Sequence, residues 1–151
     1  MIPEIGHVSL ILALCMSVVL GTLPLIGAAK GIHPWMALAR PASVGLFVFM
    51  FIAYLCLTYA FITDDFSVLY VAGHSNSALP IQYKIAGVWG GHEGSMLFWT
   101  TSLTIWVVAV ATFSRNLPLD VVARVLGVLG VVTMGFILFM LLTSDPFDRL
   151  L

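Results

Sequence analysis

The chain has 151 residues, of which 61% are hydrophobic and 9% charged, with a formal net charge of −1 at pH 7. Six Lys/Arg and seven Asp/Glu cannot cover a water-soluble domain of this size, which normally carries roughly 45–50% apolar and ~25% charged residues. This excludes an ordinary soluble enzyme, a disordered chain and a disulfide-rich secreted scaffold. It also argues against a nucleic-acid partner, which needs a basic surface, and leaves an integral membrane protein.

The first predicted helix lies near 8–29. Val8 to Ala29 carries no charge over 22 residues, and a bilayer-crossing helix needs ~20. A cleaved signal peptide is not expected, since Met1 to His7 holds only Glu4 and no positive n-region. Ser17 and Gly21 stand four apart, a small-xxx-small spacing that lets helices approach closely. Pro24 is expected to kink the end of this helix. The connection from Lys30 to Ser43 carries Lys30 and Arg40 and no acid.

A second uncharged stretch, near 44–62, predicts the next helix. A long connection, 63–94, follows, and a third helix is expected over 95–113. The short link from Ser114 to Arg124 carries Arg115 and Arg124 against Asp120. The fourth helix is predicted near 122–143, uncharged from Val125 to Thr143 and punctuated by Gly127, Gly130 and Gly135. The tail holds Asp145, Asp148 and Arg149. The expected fold is thus an all-α integral membrane protein of about four transmembrane helices with one long structured periplasmic loop.

Four of the six basic residues flank the two short links, so the positive-inside rule places those links in the cytoplasm. Both termini and the long loop then lie outside, in the periplasm of a bacterial inner membrane. No predicted helix carries a charge near its middle, which disfavours a pump or antiporter built from these helices alone. Cys15 and Cys56 sit in apolar runs, with neither Cys-x-x-Cys nor Cys-x-x-Cys-His in the chain. They read as small buried hydrophobes, and the chain has no site for covalent c-type haem attachment.

The long loop holds Phe66, Tyr70, Tyr83 and Trp89, residues that favour a membrane surface and are too apolar for a simple tether. His74 lies in Gly-His-Ser-Asn-Ser, a turn-forming cluster, and either binds haem iron or a metal or bonds a neighbour. His92-Glu93 resembles the start of a zinc-protease motif, but the second histidine would have to stand where Met96 does. What remains is Trp89-Gly90-Gly91-His92-Glu93-Gly94-Ser95 running into the third helix. Glu93 suits the free N–H groups and positive dipole end of a helix start as well as it suits a functional role. His7, at the outer end of the first helix, faces the same side, whereas His33 belongs to the opposite one. No nucleophile elbow and no phosphate-binding loop is present, and metal ligation is not expected.

The span from Asp65 to Trp99, DFSVLYVAGHSNSALPIQYKIAGVWGGHEGSMLFW, strongly resembles the N-terminal part of the CcmF family, the haem lyase component of bacterial cytochrome c-type biogenesis. The opening, MIPEIGHVSLILAL, resembles the family's N-terminus, and the similarity covers the whole chain. The family is several times longer, and its tryptophan-rich haem-facing signature lies beyond the part matched here. The resemblance therefore implies the first four helices of such a protein, from a split gene or a truncated product, without autonomous lyase activity.

The resemblance also implies a haem-handling role. The family, with a CcmH-type partner, takes b-type haem in transit from a CcmE-type chaperone and delivers it to apocytochrome c for thioether attachment. Its task is positioning. On this reading Trp89, His92, Tyr83 and His74 form a haem platform, with no catalytic residue among them. Gly90, Gly91, Glu93, Gly94 and Ser95 anchor the loop to the third helix. Tight haem binding by this segment alone is not expected. The partners implied are the remainder of the CcmF-like protein, CcmH-type and CcmE-type proteins, apocytochrome c and the membrane. The alternative is a non-catalytic scaffold or haem-transport subunit of the assembly complex.

Overall fold

The computed structural model describes residues 2–31, 33–63, 80–88, 92–113 and 116–143. Among these the chain is helical: α1 (Ile2–Lys30), α2 (His33–Met36), α3 (Ala39–Ile62), α4 (Ile81–Gly87), α5 (His92–Phe113) and α6 (Leu119–Thr143). α1, α3, α5 and α6 are each long and apolar enough to cross a bilayer. They contain the four uncharged stretches and extend them. α1 starts six residues before Val8, α3 takes in Arg40 and Ser43, and α5 starts at His92 instead of 95. Pro24 lies inside α1, which continues to Lys30. Gly31 ends it, at φ 72°, the left-handed conformation that only glycine adopts without steric cost.

The four long helices form a ring in which α1 packs on α3 and α6, and α5 packs on α3 and α6. Neighbours run antiparallel. Gly21 of α1 meets Gly130 and Val131 of α6 while Leu25 meets Gly127. Tyr54 of α3 lies against Phe98 of α5 while Arg40 reaches Ala111. The core between them is apolar, with Leu20, Leu46, Met50, Leu57, Phe61 and Met140 fully buried.

In hydrocarbon a polar group must find its partner within the protein. Among the described residues, seven buried hydroxyls do so inside their own helices. Ser9, Ser17, Ser43, Thr100, Thr101, Thr104 and Thr133 each donate to a carbonyl three or four residues earlier, at 2.6 to 2.8 Å. Within the apolar core, helix-to-helix adhesion therefore falls to shape, and small residues supply it. A Cβ on Gly130 would lie 2.9 Å from the backbone nitrogen of Gly21, and one on Gly21 would lie 3.1 Å from that of Val131. A Cβ on Gly127 would lie 2.5 Å from the branch carbon of Leu25. Gly135 differs: nothing lies within 4 Å of such an atom.

At the end bearing the short links, two arginines join the hairpins. Arg40, second residue of α3, donates from Nε to the carbonyl of Ala111 at 2.9 Å. Arg124, near the start of α6, donates from Nη2 to the carbonyl of Ala28 at 3.4 Å. Each acceptor lies two residues before its helix ends, where carbonyls lack helical partners and the dipole favours a cation. The donors are 84 residues apart and the acceptors 83. The two hairpins, α1–α3 and α5–α6, thus clasp each other reciprocally.

Candidate functional site

The candidate residues that the structure describes belong to the opposite end of the bundle, where α3 finishes and α5 begins. α3 closes at Thr63, whose N–H and hydroxyl both donate to the carbonyl of Tyr59, the hydroxyl at 2.8 Å. The segment 80–88 contains a helix where the sequence suggested a loop. Pro80 fixes its start, and the Pro80 carbonyl accepts from the N–H groups of Tyr83 at 3.0 Å and Lys84 at 3.2 Å. The resulting α4 packs on α3.

α4 reverses the usual amphipathic arrangement. Its charged residue, Lys84, is buried, and Val88, one turn on, is fully buried. Ile81, Tyr83 and Ile85 are exposed, Tyr83 by 60%. Tyr83 therefore projects away from the bundle, available to lipid or to a partner. Reading the loop as one long connection hid Lys84. Its four-residue spacing from Val88 in an otherwise uncharged run was the available signal.

The remaining candidates fall in two groups. His92 and Glu93 belong to the first turn of α5, followed by buried Gly94 and half-buried Ser95. His74, Trp89, Gly90 and Gly91 lie outside the described residues. Among the described residues no group of three or more His, Cys, Asp or Glu side chains is placed to hold a metal.

Open grooves among the described residues include three. One, about 480 Å³, runs between α5 and α6 past Met96, Val132, Gly135, Phe136 and Phe139. A second, about 440 Å³, lies between α1 and α3 near Glu4, Val8 and Phe49. A third, about 390 Å³, follows α3 at Leu55, Cys56 and Tyr59. Their linings are overwhelmingly apolar, suited to hydrocarbon, to another helix or to a large flat apolar molecule, and not to acid–base chemistry.

No protein-family model matches the chain. It is 58% identical over 151 residues to the cytochrome c-type biogenesis protein CcmF of Pseudomonas aeruginosa, covering 100% of this chain and 23% of that protein. It is 48% identical over 151 residues to CcmF of Escherichia coli, again covering 100% of this chain and 23% of the relative. It is 41% identical over 160 residues to the cytochrome c-type biogenesis protein NrfE of Haemophilus influenzae, covering 99% and 24%. A solved structure, cytochrome c haem lyase CcmF, superposes with a TM-score of 0.93 at 26% identity, over 100% of this chain and 25% of that one. The chain thus spans about a quarter of the length of the proteins it matches.

Proposed function

We propose that this chain, homologous to the N-terminal part of the CcmF proteins, forms the membrane scaffold of a cytochrome c haem lyase and borders the route by which haem reaches apocytochrome c. The observation that carries this reading is 58% identity over the whole chain, together with a TM-score of 0.93 over the same extent. The character of the bundle supports the scaffold half. Among the described residues its core is apolar, its buried hydroxyls are closed within their own helices, and the three grooves are lined without acid–base pairs. Haem lyase activity then belongs to a larger assembly that includes the rest of a CcmF-like protein and CcmH-type and CcmE-type partners.

In the proposed orientation the arginine end faces the cytoplasm and α4, His92 and Glu93 face the periplasm. Reporter fusions at Ala37 and Asn116 are expected to read cytoplasmic, and a fusion at Ser77 periplasmic. A cytoplasmic signal at Ser77 overturns the orientation and removes the route for haem delivery.

Haem, in transit, is a flat apolar molecule with two carboxylates. Outward-facing Tyr83, together with Trp89, His92 and His74, is what we assign to its platform, while Gly90, Gly91, Glu93, Gly94 and Ser95 hold the platform to α5. Purified chain in detergent is expected to show no sharp bis-histidine spectrum on haem addition. A stoichiometric low-spin spectrum lost in His92→Ala would contradict this.

The deciding experiment uses a complete assembly containing this chain. Trp89→Ala and Gly91→Val are expected to lower holocytochrome c yield severalfold while the chain's level in the membrane is unchanged. Yield falling in proportion to level favours the alternative, a non-catalytic scaffold that takes no part in handling haem. Normal level and normal yield in both variants would show that the segment is an ordinary helix start.

A further inference from the structure

Lipid-facing positions differ between the helices. Along α1 the exposed large side chains are aliphatic, among them Val8, Ile11, Leu12 and Val18, as a lipid-facing surface should be. α5 instead exposes Trp99 by 66% and Trp106 by 69%. Seven residues apart, they share one stripe of the helix, and Met96 on the groove wall lies one turn before Trp99. The apolar span of α5 is 20 residues, Gly94–Phe113, or about 30 Å at 1.5 Å per residue. Trp106 stands roughly 10 Å from one end of it.

Tryptophan favours the membrane–water interface, where its N–H stays hydrated. At the depth of Trp106 hydrocarbon offers that N–H nothing, and none of the described residues accepts its hydrogen bond. Beside the stripe lies the groove of about 480 Å³, with Gly135 in its lining. Gly127 and Gly130 are filled against α1, whereas the space over Gly135 is empty. A glycine with open space above it in a membrane groove permits close approach by another helix backbone. The solved haem lyase carries this four-helix bundle within a chain four times as long, so polypeptide is available to cover the face.

We propose that the α5–α6 groove, with the Trp99–Trp106 stripe beside it, is the docking face for a further transmembrane helix from the polypeptide that extends the bundle in the longer relatives. Backbone at this depth must be helical to satisfy its own polar groups. The incoming helix lies over Gly135 between Met96 and Phe139 and supplies an acceptor to the Trp106 indole. α1 is left facing lipid. The inference rests on the reading of the chain as the N-terminal part of a CcmF-type assembly.

The test co-expresses the full chain with the rest of Pseudomonas aeruginosa CcmF as a separate polypeptide. The photoreactive residue p-benzoylphenylalanine replaces Trp106, Phe136, Leu12 or Val18. Crosslinks to the second polypeptide are expected from positions 106 and 136 and not from 12 and 18. Gly135→Leu is expected to abolish co-purification while leaving the chain's membrane level unchanged, since nothing in the chain occupies that space. Crosslinks from α1 positions alone, or from 106 and 136 only to lipid or to a second copy of this chain, overturn the docking face while co-purification upholds the parent reading. Failure of the unmodified pair to co-purify overturns that reading, and the docking proposal falls with it.

Discussion

A Gly130→Ile variant is expected to separate α1 from α6 and to unfold well before the parent chain. The first side-chain carbon alone would lie 2.9 Å from the Gly21 nitrogen and 2.8 Å from the branch carbon of Leu20. The obstacle is partly backbone, which cannot rotate aside as a side chain can. Overpacking a close-packed site typically costs about 1–3 kcal/mol, and here the cost reaches or exceeds the top of that range, because a whole helix must move. Denaturation by SDS in mixed micelles measures it as a lower midpoint. Gly135→Ala is the matched control. With no atom within 4 Å of the new carbon, it should be neutral or stabilise by up to about 1 kcal/mol through helix propensity. Equal midpoints for Gly130→Ile and the parent chain would show that the two helices do not meet at this point.

The second large effect is expected from Arg40→Ala. Its guanidinium is half-buried and donates at 2.9 Å to a carbonyl at the end of α5. A hydrogen bond from a charged donor is worth about 1.5–3 kcal/mol, and its loss also leaves the α5 terminus without its cation. Arg124→Ala should cost less, since that side chain is exposed and its contact is longer, at 3.4 Å. Arg40→Lys should restore only part of the loss, because an ammonium on a flexible stem does not reproduce a fixed planar donor. The same denaturation series ranks the variants. If Arg124→Ala proves the more damaging, the 2.9 Å bond is not what holds the hairpins together.

Much of the fold was legible because the bilayer imposes a one-dimensional rule: an uncharged run of about 20 residues must be a helix. The rule found all four spans but misjudged their ends. It measures hydrocarbon and not hydrogen bonding, and α3 begins at Ala39, with Arg40 inside it. Gly21 could be recognised as a packing residue from its spacing to Ser17, whereas Gly127 and Gly130, which also pack, read in the sequence only as punctuation of the fourth helix. Gly135, of the same type on the same helix, is not packed, a difference that depends on which way a face points. The arginine bonds were invisible for a related reason. Their partners are 71 and 96 residues away, and each acceptor is a backbone carbonyl that no residue name advertises. Of the candidate site, Tyr83, Gly94 and Ser95 can be placed in full, and α4 lies in a segment that reads in the sequence as part of one long loop.

The reciprocal arginine clasp also sets an order in time. At ~5–20 residues per second of synthesis, Arg40 precedes its acceptor, 71 residues further on, by roughly 4–14 s. Through that interval its long stem lets the guanidinium reach water and headgroups at the membrane edge. Arg124 faces the opposite situation, because Ala28 was made 96 residues earlier and is waiting when α6 enters. One bond is delayed by the ribosome and the other is ready on arrival, so entry of α5 is the step that releases the first hairpin from dependence on solvent.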